Sequence, residues 1–243
     1  LWGPRQRGQI KKYHDVPDHK LIEIGVPLYR QFEQLLEDNQ TFSIRHRNDI
    51  PADSRMILYL QQAKTHNFDE LEIIDFICAR IDDGTIPNCV LLIRTQPGQD
   101  PTSIEMRFNH RSNVRVQISG NKHSGGEGDI DLINNIENLE YIKTLQESAV
   151  VISPISKCIL ESYLVETPVI VNLVELSNYP EGGLSPRSHA AGDLFDLFKD
   201  GCPSVRTLEE LVLMINSYLA NPEKDKDTQT RILNSWDCKD ESY

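Results

Sequence analysis

The sequence predicts an α/β domain with a parallel sheet and helices on both faces, and two patterns carry that prediction. Short β-branched runs recur along the chain, each followed by a longer segment of helical periodicity. Several of those runs are apolar throughout rather than alternating, as befits strands covered on both sides.

Taken in order, Arg55–Leu60 (RMILYL) reads as the first buried strand. The polar loop Gln61–Asn67 follows, and Asn67 with Glu70 matches a reciprocal helix-start cap. The helix so begun carries Leu71, Ile74, Ile77, Cys78 and Ile81 on one face and ends at Asp83-Gly84. Asn88–Thr95 is the next buried strand, stopped by Gln96-Pro97-Gly98. Asn113–Ile118 alternates strictly as a strand and leads into the Gly-rich stretch Ser119–Gly128. In Asp129–Ser148, residues Ile133, Ile136, Leu139, Ile142 and Leu145 form a helical stripe. Ala149–Ser153 then reads as a strand, Pro154–Val165 as a helix and Pro168–Val171 as a strand.

A long irregular stretch, Asn172–His189, contains Pro180, Gly182, Gly183 and Pro186; loops of this length are commonly functional. Ala190–Lys199 has a helical pattern and Ser204–Arg206 that of a short strand. Thr207 and Glu210 form a capping box for a helix through Leu219, and Pro222–Ser235 is a final outer helix. Ahead of the sheet, Lys20–Val26 fits a strand and Leu28–Asp38 a helix, with a polar linker to Ala52. The chain thus divides into an amino-terminal extension and linker (1–50), an α/β domain (51–221) and a carboxyl-terminal helix and tail (222–243).

The 243 residues carry a formal net charge of −12, which argues against a surface built for nucleic acid or anionic membrane. The longest apolar runs, Ala149–Ile152 and Val169–Val171, are far too short to span a bilayer. The start at Leu1, in a polar stretch, reads as a cut inside a longer protein. The five cysteines are scattered, with no metal-ligand spacing, so a reducing, cytoplasmic setting is expected and no bound metal.

In open parallel sheets, ligands bind beyond the carboxyl ends of the strands. That rule nominates Gln61–Asn67, Arg94–Gly98, Ser119–Gly128 and Ser153–Lys157. At the last of these, Pro154 suits a first helical position. The free N–H groups near Ile155 and Ser156 would form an anion site, supplemented by the Ser156 hydroxyl and Lys157. Glu161, a turn further on, would accept hydrogen bonds from ribose hydroxyls. The plainer alternative makes Ser153 a helix cap and Lys157–Glu161 a surface pair. Arg94, at the end of a buried strand, must either pair with Glu105 or Asp100 or reach the cleft. His189 is a phosphate ligand or a helix cap. No P-loop, HExxH, GxGxxG or catalytic Ser/His/Asp order occurs, and Asp129-Ile130-Asp131 reads as helix-start acidity rather than a metal motif.

These segments resemble the carboxyl-terminal half of GT-B glycosyltransferases, particularly the CDP-glycerol and surface-polysaccharide transferase group. Trp2-Gly3 and Gly25-Val26-Pro27 look like that group's entry into this half, and Ile93–Pro97 is similar to its "i-R-x-H-P" strand end. The most specific match is VVISPISKCILESYLVETPVI, Val150 to Ile170, in which Ser156, Glu161, Pro168 and Ile170 fall in register. Val205–Pro222 resembles the family's ending.

The resemblance implies a Rossmann-like half of a GT-B fold that binds a nucleotide-sugar donor as substrate, with no cofactor and no metal. Arg94, Gln96, Ser153, Ser156, Lys157, Glu161 and His189 are its expected donor-binding residues. No catalytic residue is assigned, since the acceptor base is expected on an amino-terminal domain of the same protein. The acceptor would be a glycan or lipid-linked saccharide, and the location cytoplasmic or at the membrane periphery. A UDP-sugar 2-epimerase, a CDP-polyol phosphotransferase and a non-catalytic scaffold are the alternatives. The chain departs from the pattern at Gln96 (histidine in the family), Lys157 (threonine) and Glu166 (glycine). The last matters less if its turn keeps a negative φ.

Overall fold

The computed structural model describes residues 1, 3–26, 29, 32, 43–62, 70–120, 135–176 and 196–236. Among the described residues, six strands, β1 (Arg55–Leu60), β2 (Cys89–Arg94), β3 (Val114–Gln117), β4 (Val150–Ser153), β5 (Val169–Asn172) and β6 (Ser204–Val205), form one sheet in the order β3-β2-β1-β4-β5-β6. Every pairing is parallel. The chain builds outward from β1 to β3, then returns to the other side of β1 with β4. That reversal opens a crevice beyond the carboxyl ends of β1 and β4.

Strand side chains sort by parity into two cores. Met56, Leu58, Val90, Leu92, Val151, Val169 and Val171 face one side. Ile57, Tyr59, Leu91, Ile93, Val150, Ile152 and Ile170 face the other. Because both faces are covered, neither parity can be polar, which is why the runs are continuously apolar.

The first core is closed by α5 (Asn135–Gln146), α6 (Cys158–Leu164) and α9 (Lys226–Ser235), together with Ile44 of the short α2 (Ile44–Arg47) and with Tyr29 and Phe32. Leu197 of α7 (Asp196–Lys199) joins it. The second core is closed by α3 (Glu70–Asp82), α4 (Thr102–Phe108) and α8 (Leu208–Ala220). α8 starts with both halves of the capping box between Thr207 and Glu210 in place. An outer helix, α1 (Pro4–His14), buries none of its residues. Among the described residues no helix is long and apolar enough to cross a membrane.

Several expectations need correction. Lys20–Val26 is not a strand: a single 3-10 turn over Asp18–Lys20 leads into extended chain that joins no sheet. Its alternating residues Ile22 and Ile24 have no surface to cover and stay exposed. α4, between β2 and β3, was not anticipated; it anchors by only two buried residues, Ile104 and Phe108, one turn apart.

α6 begins at Cys158 rather than at Pro154. The Ser153 hydroxyl donates to the Pro154 carbonyl at 2.9 Å, and Ser156 Oγ accepts the Cys158 N–H at 3.3 Å, so residues 154–157 form a turn ahead of the helix. Glu166 does not keep a negative φ; it stands at 60°, in the left-handed region. Asn67, Asp129–Asn134, the helix expected over 28–38 (Tyr29 and Phe32 excepted) and most of the 172–189 stretch lie outside the described residues.

Candidate functional site

The crevice at the strand reversal is a cleft of about 400 Å3 on the first-core face, bordered by the loops after β1, β2, β3 and β4 and by α5 and α6. All four segments nominated by the strand-end rule contribute described residues to it: Gln61, Arg94–Pro97, Ser119, and Pro154 with Ser156 and Lys157. A wider depression of about 570 Å3 lies at the β6 edge beside α8. Its lysine, Lys224, is held by Ser217 Oγ at 2.9 Å, and the cleft at the strand reversal is the better candidate.

Glu161 is the most constrained group in the cleft. It lies in the first turn of α6 with its residue only 2% exposed. A carboxylate so buried needs hydrogen-bond donors, and the Tyr141 hydroxyl of α5 provides one, donating to Oε2 at 2.7 Å. Lys157 Nζ stands 3.8 Å from the other oxygen, beyond hydrogen-bonding reach, with its own side chain exposed to solvent. Oε1 therefore retains acceptor capacity toward the cleft. The neighbouring Cys158 thiol is pushed up to about 11 by burial, which keeps it a neutral wall residue.

Arg94 reaches the cleft rather than pairing with Glu105 or Asp100. Its guanidinium carbon lies 5.3 Å from the centre of the Tyr141 ring, a cation–π contact. Nη1 is buried and has no hydrogen-bond partner among the described residues. Desolvation pulls the guanidinium below its ordinary pKa, partly opposed by the charges of Glu140 and Glu137, yet it remains a cation.

The loop after β2 is pinned to the loop after β1, since the Gln96 N–H donates to Gln61 Oε1 at 3.3 Å. Gln96 so placed lines the cleft, at the position where the family pattern has a histidine. At the opposite wall, the N–H groups of Ile155, Ser156 and Lys157 donate to no described residue. The Ser156 hydroxyl serves the start of α6 instead of standing free.

Ser153 is fully buried and borders a smaller crevice with Glu70 and Asn172, outside the lining of the main cleft. Its hydroxyl donates to the Pro154 carbonyl in the turn ahead of α6, so it is neither a cleft residue nor the helix cap of the plainer reading. His189 lies outside the described residues. The structure thus brings Arg94, Gln96, Ser156, Lys157 and Glu161 together and leaves Ser153 aside. It adds Tyr141, Ser119 and Phe32, which residue patterns did not single out. Among the described residues there is no group of acidic, histidine and cysteine side chains placed to hold a metal ion.

No family model matches the sequence, and no curated protein matches it. Solved structures do match the fold. The wall teichoic acid polymerase TagF, soaked with CDPG, is 12% identical with a TM-score of 0.56, over 96% of this chain and 50% of its own. The UDP-GlcNAc 2-epimerase from Neisseria meningitidis, bound to UDP-GlcNAc, is 14% identical with a TM-score of 0.53, over 88% of this chain and 50% of its own. The Methanocaldococcus jannaschii UDP-GlcNAc 2-epimerase, in complex with UDP-GlcNAc and UDP, gives 12% and 0.51, over 95% and 57%. The chain spans about half the length of the structures it resembles. Its fold is that of the Rossmann-like half of a GT-B fold, as the sequence resemblance implied.

Proposed function

We propose that this chain is the donor-binding domain of a metal-independent glycosyltransferase that takes its sugar from a nucleotide-sugar. One observation carries the reading. At the strand reversal, a buried carboxylate held by Tyr141 and a half-buried guanidinium line the same cleft. A carboxylate with a free oxygen is suited to a ribose diol, and a guanidinium is suited to a ligand with negative charge or carbonyl oxygens.

In this reading Glu161 Oε1 accepts from the ribose hydroxyls while Tyr141 fixes the carboxylate from behind. The free N–H groups of the 155–157 turn, with Lys157, stabilise the charge that develops on the diphosphate as the glycosidic bond breaks. Arg94 adds a fixed positive charge in a partly desolvated wall. The base that activates the acceptor, a glycan or lipid-linked saccharide, belongs to an amino-terminal domain of the same protein.

Calorimetric titration of the chain with UDP, CDP, GDP and CMP tests this. At least one should bind, and Glu161→Ala should weaken it roughly 30- to 150-fold, the loss of charge-assisted hydrogen bonds to a diol. Tyr141→Phe should give a smaller loss, since the carboxylate stays but is no longer held. Equal binding by the Glu161→Ala protein would overturn the ribose assignment. Absence of binding to all four would leave a scaffold with the same fold.

A further inference from the structure

Glu70 is a buried carboxyl that stands outside the cleft yet is tied to its wall. The residue opens α3 and borders the smaller crevice with Ser153 and Asn172, not the lining of the cleft. Its Oε1 accepts the Gln62 N–H at 2.7 Å, and the side chain of Gln61 hydrogen-bonds the same carboxyl. Gln61 in turn accepts the Gln96 N–H through Oε1 at 3.3 Å. That backbone donor claims the amide oxygen, so it is the Gln61 NH2 that faces Glu70. The carboxyl and both glutamines are buried, so a bond lost among them is not made good by bulk solvent.

The tie bears on the loop after β2. Over Gln96–Gln99, the Gln96 N–H makes the one backbone N–H bond to another element among the described residues. Pro97 has no N–H, and the Gln99 N–H returns to the Gln96 carbonyl. This loop carries Gln96 and Pro97 into the cleft wall, and Thr95 beside it accepts the Ser119 N–H through Oγ1 at 3.0 Å. The arrangement also explains the residue type at position 70. A glutamine there would have one oxygen, enough for the Gln62 N–H alone. A carboxyl has an oxygen for each of its two donors, and it keeps acceptor capacity when protonated. Without such a demand a buried carboxyl is costly.

We propose that Glu70 is a positioning residue for the nucleotide site: acting through the Gln61 amide, it holds the Gln96–Pro97 loop in place as one wall of the cleft. The inference rests on the nucleotide reading of the preceding subsection. Glu70→Gln separates this role from packing, because it keeps the shape of the side chain. The introduced amide has one oxygen, which Gln62 claims, and turns an NH2 toward the NH2 of Gln61. Two donors cannot pair, so Gln61 turns over or moves away, and the Gln96 N–H loses its acceptor. Adding Gln61→Glu restores the pattern with its polarity reversed. The carboxylate introduced at position 61 accepts the new NH2 on one oxygen and the Gln96 N–H on the other.

Two measurements on the whole chain test this: hydrogen exchange of the Gln96 amide, resolved by NMR on isotope-labelled protein, and calorimetric titration with UDP, CDP, GDP and CMP. Glu70→Gln should speed Gln96 exchange about three- to tenfold and weaken whichever nucleotide binds by a similar factor. The Gln61 and Thr95 amides donate to the Arg94 and Gln117 carbonyls at 3.0 and 2.9 Å. Both should exchange as before, which separates a freed loop from a loosened fold. Glu70→Gln combined with Gln61→Glu should return Gln96 exchange to within about twofold of the unmodified chain. Unchanged Gln96 exchange in Glu70→Gln, acceleration shared by all three amides, or no recovery in the paired variant each overturns the positioning role. Faster Gln96 exchange with unchanged nucleotide affinity confines Glu70 to the fold and also overturns it. If the unmodified chain binds none of the four nucleotides, the preceding reading fails and the nucleotide role of Glu70 with it, while exchange still decides the link from Glu70 to the loop.

Discussion

Glu70 opens α3 with its residue only 4% exposed, its Oε1 accepting the Gln62 N–H at 2.7 Å. Burial drives its pKa from 4.5 up to about 8. The folded chain therefore keeps this proton through neutral pH, while the unfolded chain gives it up near its ordinary value. Stability falls as pH rises across that window, by up to about 1.4 kcal/mol per pH unit, and is unaffected by this group below it. Glu70→Gln retains an oxygen for Gln62 and removes the titration. The thermal midpoint of the variant relative to the parent should be flat near about pH 4 and climb steadily to about pH 8. A difference that does not vary with pH would show that Glu70 is not held protonated. Residues of this kind are poorly legible in sequence. Arg94 and Glu161 were found because a charge at a strand end or on a helix turn above a cleft is costly without a purpose. Tyr141 sits one position from the apolar stripe of α5 and reads as more core; Ser119 begins a Gly-rich stretch whose polarity was visible but whose place in the cleft wall was not. Both roles arise from contacts far apart in the chain, and no local pattern encodes them.

The elements themselves were legible to the extent that burial dictated their composition. β1 and β4 lie at the centre of the sheet, need apolar residues on both faces, and were read to within a residue of their observed bounds. α8 announced itself by its cap: the Thr207 side chain accepts the Glu210 N–H at 3.1 Å, and Glu210 reaches back to the Thr207 N–H. Thr207→Ala should cost about 1 kcal/mol in denaturant unfolding, with an unchanged dependence on denaturant concentration. α4 and the start of α6 were misread because their short spans give periodicity little room, and local side chain to backbone bonds at Ser153 and Ser156 decided the outcome. The turn after α6 carries a further consequence. Glu166 adopts φ 60°, the conformation for which glycine is the natural occupant. Its compensation is modest, an ion pair with Lys226 at 3.6 Å between exposed side chains. Glu166→Gly should therefore stabilise the chain by roughly 0.5–1 kcal/mol, read as a rise in the urea midpoint. A loss of stability would mean that the ion pair outweighs the backbone strain.

For the molecule as a whole, the decisive feature is that the cleft draws on both sides of the strand reversal. Arg94, Gln96 and Ser119 follow β2 and β3, whereas Ser156, Lys157 and Glu161 follow β4. The two halves of the sheet share the β1 pairings with β2 and β4, and the cleft is lined by loops from both. A ligand lying across it ties the halves together, so its binding energy resists global unfolding rather than the fraying of one loop. At a ligand concentration one hundred times its dissociation constant, the linkage is worth about 2.7 kcal/mol. In a chain of 243 residues that corresponds to a rise of about 5–10 °C in the thermal midpoint. The expectation is one cooperative transition that shifts upward as a whole with a saturating nucleoside diphosphate and not with inorganic phosphate at the same ionic strength. The distinction matters because the chain carries a net charge of −12, so added salt alone screens its self-repulsion and moves the midpoint slightly. A rise matched by inorganic phosphate would reduce the ligand effect to that screening. A split transition, with one half of the sheet unfolding at its unliganded temperature, would show that the ligand sits on one side of the reversal and that the cleft does not bridge it.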